Sequence, residues 1–269
     1  MSSTLTYMSG QTAKRGYRER NTTADRTLEI LKLFTDERLL LTASEVASEL
    51  GVARSTAYRY LQSLVSAGFL EDQPGRGFVL GLRVLEIARF ARRGTGLPEI
   101  ALPVMRRLRD ELGETVLLTR RIGEQVICVE REEAVATVRI SYASGTALPL
   151  HAGASALVLI AWMAPDEARA VLAASPLERF TANTLIDIDQ LMERLAEIRT
   201  RGYAVSHSEL DRDVIGVAVP VRDASRKVAC AIGIAAFERR LPESSIGRAI
   251  DTVRRSAQAL EADLALHAV

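Results

Sequence analysis

Between residues 42 and 80 the chain has little freedom in its local structure. Thr42-Ala43-Ser44-Glu45 is a capping box: the Thr42 hydroxyl takes the Glu45 amide and the Glu45 carboxylate reaches back. The helix it opens carries Val46 and Leu50 on one face with small Ala47 between them. It stops at Gly51, which can take the left-handed conformation of a tight turn. Ala47 and Gly51, four apart, are expected to be small because a second helix crosses closely there. After Gly51-Val52-Ala53 that second helix runs from about 54 to 67, with Ala57, Tyr60, Leu61, Leu64 and Val65 as its inward stripe. Gly68 ends it, Phe69-Leu70 begins a strand, and Gly75-Arg76-Gly77 turns the strand back into Phe78-Val79-Leu80. The pattern predicts a winged helix-turn-helix.

The chemistry of the outer face points to a ligand. Arg54, Ser55, Thr56, Tyr58, Arg59, Gln62 and Ser63 are donor-rich, and no acid lies among them. Such a helix suits a major groove, where guanidinium groups meet phosphates and guanine edges. Arg76 at the hairpin tip would lie beside the backbone or in the minor groove. Ala-x-x-x-Gly spacing occurs in ordinary helix pairs too. It is the joint occurrence of capping box, small pair, acid-free face and basic tip that selects double-stranded DNA as partner. Charge is divided in the same sense: residues 1–95 hold 14 Lys and Arg against 10 Asp and Glu, and the remainder holds 21 against 24. A module that docks only proteins is the rival reading, and it would be expected to show more exposed apolar surface.

At 269 residues the chain is long enough for two domains. Cys128 and Cys230 lie in apolar strand-like runs and read as buried, inert thiols rather than a disulfide framework. The first twenty residues are polar and basic without an apolar core, so no signal peptide is expected. Residues 140–165 lack charge, but Gly145, Pro149, His151 and Gly153 interrupt them, and the apolar run 156–163 is too short to span a bilayer. A cytoplasmic protein without membrane contact is expected. Three histidines, 56 and 60 residues apart, give no metal motif, and no cofactor is expected.

The expected organisation is a flexible basic arm at 1–21, carrying Lys14, Arg15, Arg18 and Arg20, then the winged head at 22–81. Helix one, about 25–34, offers Leu28, Leu31 and Phe34 to the head's core. A linker helix from 82 to about 92, with Leu82, Leu85 and Ala88 on one side, leads to a hinge ending at Pro98. The segment 99–269 forms a second domain. Helices are expected at 104–112, 154–163, 165–174, 189–201 and 246–264, and strands at 115–120, 125–131, 136–142, 214–221 and 227–237. Strands in hairpins with helices packed to one side describe an α+β, sensor-like domain.

Within it, residues 145–155 form a small-residue loop running into a helix start. Amides near Gly153, Ala154 and Ser155 should point outward and, with the helix dipole, make an anion cradle. An ordinary loop whose glycines serve only the turn is the alternative. A hydrolytic enzyme is another: His151 and Ser155 are four apart, and His207 lies near Glu209. No nucleophile elbow or phosphate loop supports it.

Taken together, the winged head, the linker helix, Leu148-Pro149-Leu150-His151-Ala152 and Glu209 followed by Gly216-Val217-Ala218-Val219-Pro220-Val221 resemble the IclR family of bacterial transcriptional regulators. The likeness spans roughly residues 22–265. It implies an N-terminal winged helix-turn-helix and a C-terminal effector-binding domain of GAF-like fold. It also implies dimers or pairs of dimers that control genes of carbon-source or aromatic catabolism, as repressors or activators. Carried onto this chain, the effector pocket would be roofed by Leu148, Leu150 and Gly153-Ala154-Ser155. Its walls would be His207, Glu209, Gly216, Ala218, Gly233 and Ala235. Two departures stand out: Ala154-Ser155-Ala156-Leu157 has no lysine where the family often has one, and Gly233 and Ala235 stand where sensors of small keto acids carry serines. Fewer hydroxyls and more room predict a bulkier, more apolar effector, such as an aromatic acid.

Overall fold

The computed structural model describes residues 22–35, 37–123, 125–133 and 143–267. The basic arm, the strand expected at 136–142 and Glu124 of the expected hairpin lie outside the described residues. The chain forms two compact units, Met1–Ala91 and Arg92–Val269.

The first unit contains α1 (Thr22–Lys32), α2 (Ala43–Leu50), α3 (Arg54–Ser66) and the hairpin β1 (Leu70–Gln73) with β2 (Gly77–Leu80). The capping box is complete: Glu45 N donates to Thr42 Oγ1 at 3.3 Å and Thr42 N to Glu45 Oε2 at 2.7 Å. Those bonds from Thr42, backbone first, hold the Glu45 carboxyl below its ordinary range. Ile30, Leu41, Val46, Ala57, Leu61, Leu64, Leu70 and Phe78 form the core. Leu28, expected inside, is 58% exposed. The buried stripe of α1 centres on Ile30, and at 100° per residue Leu28 points about 200° away from it.

Gly51 caps α2 with φ 61°, but a Cβ built on it meets nothing within 4 Å. The turn, not a close helix crossing, is what requires glycine there. The wing gains an edge the sequence did not announce: Leu41 N donates to Phe78 O at 2.9 Å and Phe78 N to Leu41 O at 2.8 Å. The linker helix α4 (Arg83–Thr95) runs past the expected break, and Gly96 alone, at φ 60°, separates it from α5 (Leu97–Leu112). Leu82 and Leu85, expected on one side of this helix, are 70% and 67% exposed.

In the second unit, β3 (Thr115–Ile122), β4 (Gln125–Glu132), β5 (Ala147–Leu148), β6 (Ala204–His207), β7 (Val214–Arg222) and β8 (Val228–Phe237) make one antiparallel sheet in the order β5-β4-β3-β8-β7-β6. The remaining helices are α6 (Ala154–Ile160), α7 (Pro165–Ala174), α8 (Ile188–Arg201) and α9 (Glu243–His267). They do not share one side. Val116, Leu118, Val217, Ile232 and Ile234 pack with α5 and α9, while Val126, Ala218 and Ala231 pack with α6, α7 and α8. Both faces are covered because β7 and β8 are apolar at nearly every position rather than alternating. Cys128 and Cys230 are free and buried, and burial pushes their thiols up to about 11 and about 12. Just beyond α6, Trp162 packs against the helical layer with the Arg222 guanidinium 5.4 Å over its ring.

Candidate functional site

On the first unit the residues expected to contact DNA lie on α3 and at the tip of the wing. Arg54, Ser55 and Arg59 are exposed on α3, and Arg76 is exposed at the wing tip, where its amide closes the turn on Gln73 O at 2.9 Å. The guanidinium groups of Arg54, Arg59 and Arg76 make no ion pair or hydrogen bond with another described residue. Ala53 precedes α3 without a capping side chain, and no acid stands in the first turn, so that end of the helix keeps its positive field. Tyr58 is half exposed and sets its ring edge-on against Phe78, centroids 6.1 Å apart, which ties the helix to the wing. Thr56 is only partly exposed. The wing also bears exposed Glu71 and Asp72 on β1, so its basic character is confined to the tip.

On the second unit a cavity opens between the start of α6 and the sheet. Leu148, Gly153, Ala154, Ser155, Glu209, Gly216 and Ala235 line it as the sequence led one to expect. Gly216 lets α6 descend onto the sheet, since a Cβ there would fall 2.7 Å from Ser206 Oγ and 3.3 Å from Ala154 Cβ. Four expected residues lie elsewhere. Leu150 and Ala218 belong to the apolar layer beneath α6, α7 and α8. Gly233 faces β7, where a Cβ would meet Val217 O at 2.5 Å. His207 is largely exposed at the end of β6, with Nδ1 3.9 Å from Glu238. Leu117, Ala152, Ala156, Ser206, Leu210, Asp211, Val214 and Ile234 line the cavity without having been expected. Leu117 and Ala235 do share a sheet face by the two-residue alternation, the one signal that could have found Leu117. Leu210 and Asp211 sit in a loop whose path no local pattern announces.

The expected anion cradle is already filled by the protein. Gly153 N donates to Glu209 Oε2 at 2.8 Å and Ala154 N to Ser206 Oγ at 3.1 Å. Burial raises the Glu209 pKa, opposed by the Gly153 hydrogen bond and the charges of Arg194 and His207. A strained loop delivers this carboxylate: Ser208 and Asp213 have φ of 50° and 61°. Ser208 Oγ donates to Glu238 Oε1 at 3.0 Å and accepts from Asp213 N at 2.9 Å. Asn183 Nδ2, Thr181 Oγ1 and Thr184 Oγ1 donate to the carbonyls of His207, Ser208 and Glu209. Leu210 then lies over Gly153 so closely that a Cβ there would come within 2.7 Å of its Cδ1.

The hydrolytic arrangement does not assemble. Buried His151 has its Nε2 2.8 Å from Glu178 O and stacks on Phe180, centroids 5.7 Å apart. It has no hydrogen bond to Ser155. Among the described residues no group of three His, Cys, Asp or Glu could hold a metal ion, and no helix is long and apolar enough to cross a membrane.

Comparison with known proteins joins the two surfaces. Residues 23–74 match the family model for the IclR helix-turn-helix domain, and residues 91–262 match that for the bacterial transcriptional regulator IclR C-terminal domain. The chain is 32% identical over 238 residues to the HTH-type transcriptional regulator KipR of Bacillus subtilis, covering 88% of this chain and 95% of KipR. It is 32% identical over 242 residues to the HTH-type transcriptional regulator BhcR of Paracoccus denitrificans, covering 90% and 86%. Among solved structures, an IclR transcriptional regulator of Alicyclobacillus acidocaldarius superposes with TM-score 0.77 at 26% identity, covering 90% of this chain and 98% of that one. An IclR homolog of Microbacterium hydrocarbonoxydans, solved in complex with 4-hydroxybenzoate, superposes with TM-score 0.75 at 28% identity, covering 90% and 98%. With a winged helix-turn-helix head and an α+β body of the GAF-like, ligand-binding kind, the chain belongs to the IclR family of bacterial transcriptional regulators and is not an enzyme.

Proposed function

We propose that this regulator binds a two-fold operator in double-stranded DNA and releases or re-engages it when a small organic effector enters the cavity beside α6. The carrying observation is the exposed, acid-free face of α3, where the Arg54 and Arg59 guanidinium groups have no partner among the described residues. Arg54, Ser55, Thr56, Tyr58 and Arg59 supply groove and backbone contacts, and Arg76 holds the backbone beside them. Two heads read half-sites about one helical turn apart or a multiple of it. Leu82, just before α4, and Leu85 and Phe90 on it are each more than half exposed, and these apolar side chains support self-association as a dimer or pair of dimers.

The effector occupies the cavity walled by Leu148, Gly153, Ala154, Ser155, Glu209, Gly216 and Ala235. The mainly apolar lining with a few polar groups suits an aromatic acid or similar organic molecule, and the 4-hydroxybenzoate-bound homolog supports that class. The genes controlled are then those of a catabolic operon, and the protein acts in the cytoplasm. The test is a salt titration of binding to the DNA immediately upstream of this protein's own gene, with and without a panel of aromatic acids. Selective, salt-sensitive binding that one ligand shifts is expected. Selective binding that none shifts would overturn the effector class, and no selective binding at any salt would overturn the regulator reading.

A further inference from the structure

The cavity is apolar over most of its surface, but its charges all have one sign. Among the described residues lining it, Glu209 and Asp211 are acids, and none is Lys, Arg or His. Glu209 is fixed in place: Oε2 accepts the Gly153 amide at 2.8 Å, and its backbone carbonyl accepts from Thr184 Oγ1 at 2.7 Å. Oε1 accepts no hydrogen bond from a described residue. The two basic side chains nearest this carboxylate, Arg194 and His207, also face other partners. Arg194 donates to Val205 O at 2.5 Å and stands 3.8 Å from Glu197, and His207 stands 3.9 Å from Glu238.

We infer that Glu209 is the specificity determinant of this cavity, selecting an effector that brings a hydroxyl or amine hydrogen to its free oxygen. It also excludes one that would set a bare carboxylate against it. The inference rests on the effector reading above and narrows it. A ligand carboxylate beside Glu209 would place two like charges together with little water to screen them. A ligand hydroxyl instead completes the acceptor and needs no counterion. A site built to hydrogen-bond a ligand group rejects the analogue that lacks it far more strongly than an apolar pocket rejects a missing methylene. The small serines of the wall, Ser155 and Ser206, add no charge of the opposite sign.

The experiment is calorimetric titration of the full-length protein with matched pairs: benzoate against its 3- and 4-hydroxy derivatives, and toluene against p-cresol. In the wild type at least one hydroxylated member of each pair is expected to bind about tenfold tighter than its parent. In Glu209→Gln, which keeps an oxygen for the Gly153 amide, that ratio should fall below about threefold and benzoate should bind more tightly than it does to wild type. Equal affinities within the wild-type pairs would overturn the inference while leaving the effector site standing. So would a ratio that survives in Glu209→Gln. No binding by any member would overturn the aromatic reading and the inference with it. The wild-type ratios stand without the variant, so a misfolded Glu209→Gln protein leaves the inference open to refutation.

Discussion

Glu209 sits where water would be the better solvent for its charge, and the body bears that cost in the pH dependence of its stability. Burial lifts its carboxyl above the ordinary 4.5 more than the Gly153 amide, Arg194 and His207 lower it. In the interval just above that value the native state keeps a proton that the unfolded chain has lost, so stability falls as pH rises through it. Glu114 shifts in the same direction, burial again outweighing its bond from Arg240. Thermal melts of wild type and Glu209→Gln should therefore diverge, the wild type losing ground to the variant as pH rises above the ordinary carboxylate range. Parallel melting curves over that rise in pH would mean the burial carries no such cost. At the same scale, Thr42→Ala removes the acceptor of the Glu45 amide and should cost about 1 kcal/mol of stability in a denaturant titration. Residues of this kind differ in how well they can be read beforehand. The Thr42 box is local, four residues that explain one another. Glu209 meets Gly153 from 56 positions away, and only the path of the intervening helices and β6 brings a carboxylate to the expected anion cradle.

Among elements, those with a period or a cap were legible and those without were not. The stripe of α3 and the left-handed Gly51 and Gly113 follow from local chemistry. The four-residue strand β6 has no run long enough to show alternation, and the Leu41 edge of the wing pairs through backbone atoms that any residue supplies. The cavity was half legible for the same reason. Its α6 wall is continuous in sequence, whereas Leu117, Val214 and Ile234 come from three strands. Helix α3 and the wing should separate by experiment. Arg59→Ala should lower operator affinity about tenfold or more and relax sequence preference, with effector binding unchanged. Arg76→Ala should weaken operator and unrelated DNA about equally and reduce the salt slope by about one. Equal loss of DNA and effector binding in Arg59→Ala would indicate misfolding rather than a lost contact.

For the whole molecule the question is how occupancy of one unit biases the other. An effector can change operator affinity only by its differential affinity for two arrangements, typically a coupling of about 1–3 kcal/mol. Helix α4 is continuous across the division between Ala91 and Arg92, so it is the covalent route for that coupling. The self-association proposed above would use the exposed Leu85 and Phe90 of this helix. Leu85→Glu should lower the sedimentation coefficient toward that of a monomer and weaken operator binding, since a dimer holds two half-sites at once. An unchanged coefficient would remove α4 from the interface.

The chain has a single tryptophan, and it lies in the second unit. Trp162 follows directly on the helix whose first turn walls the cavity, with the Arg222 guanidinium over its ring. The molecule thus contains its own optical gauge. Indole emission on titration with an effector reports the body alone, because the head contributes no tryptophan, and a labelled duplex in the same cuvette reports the head. Ligand occupancy and DNA occupancy can then be followed together in the unmodified protein.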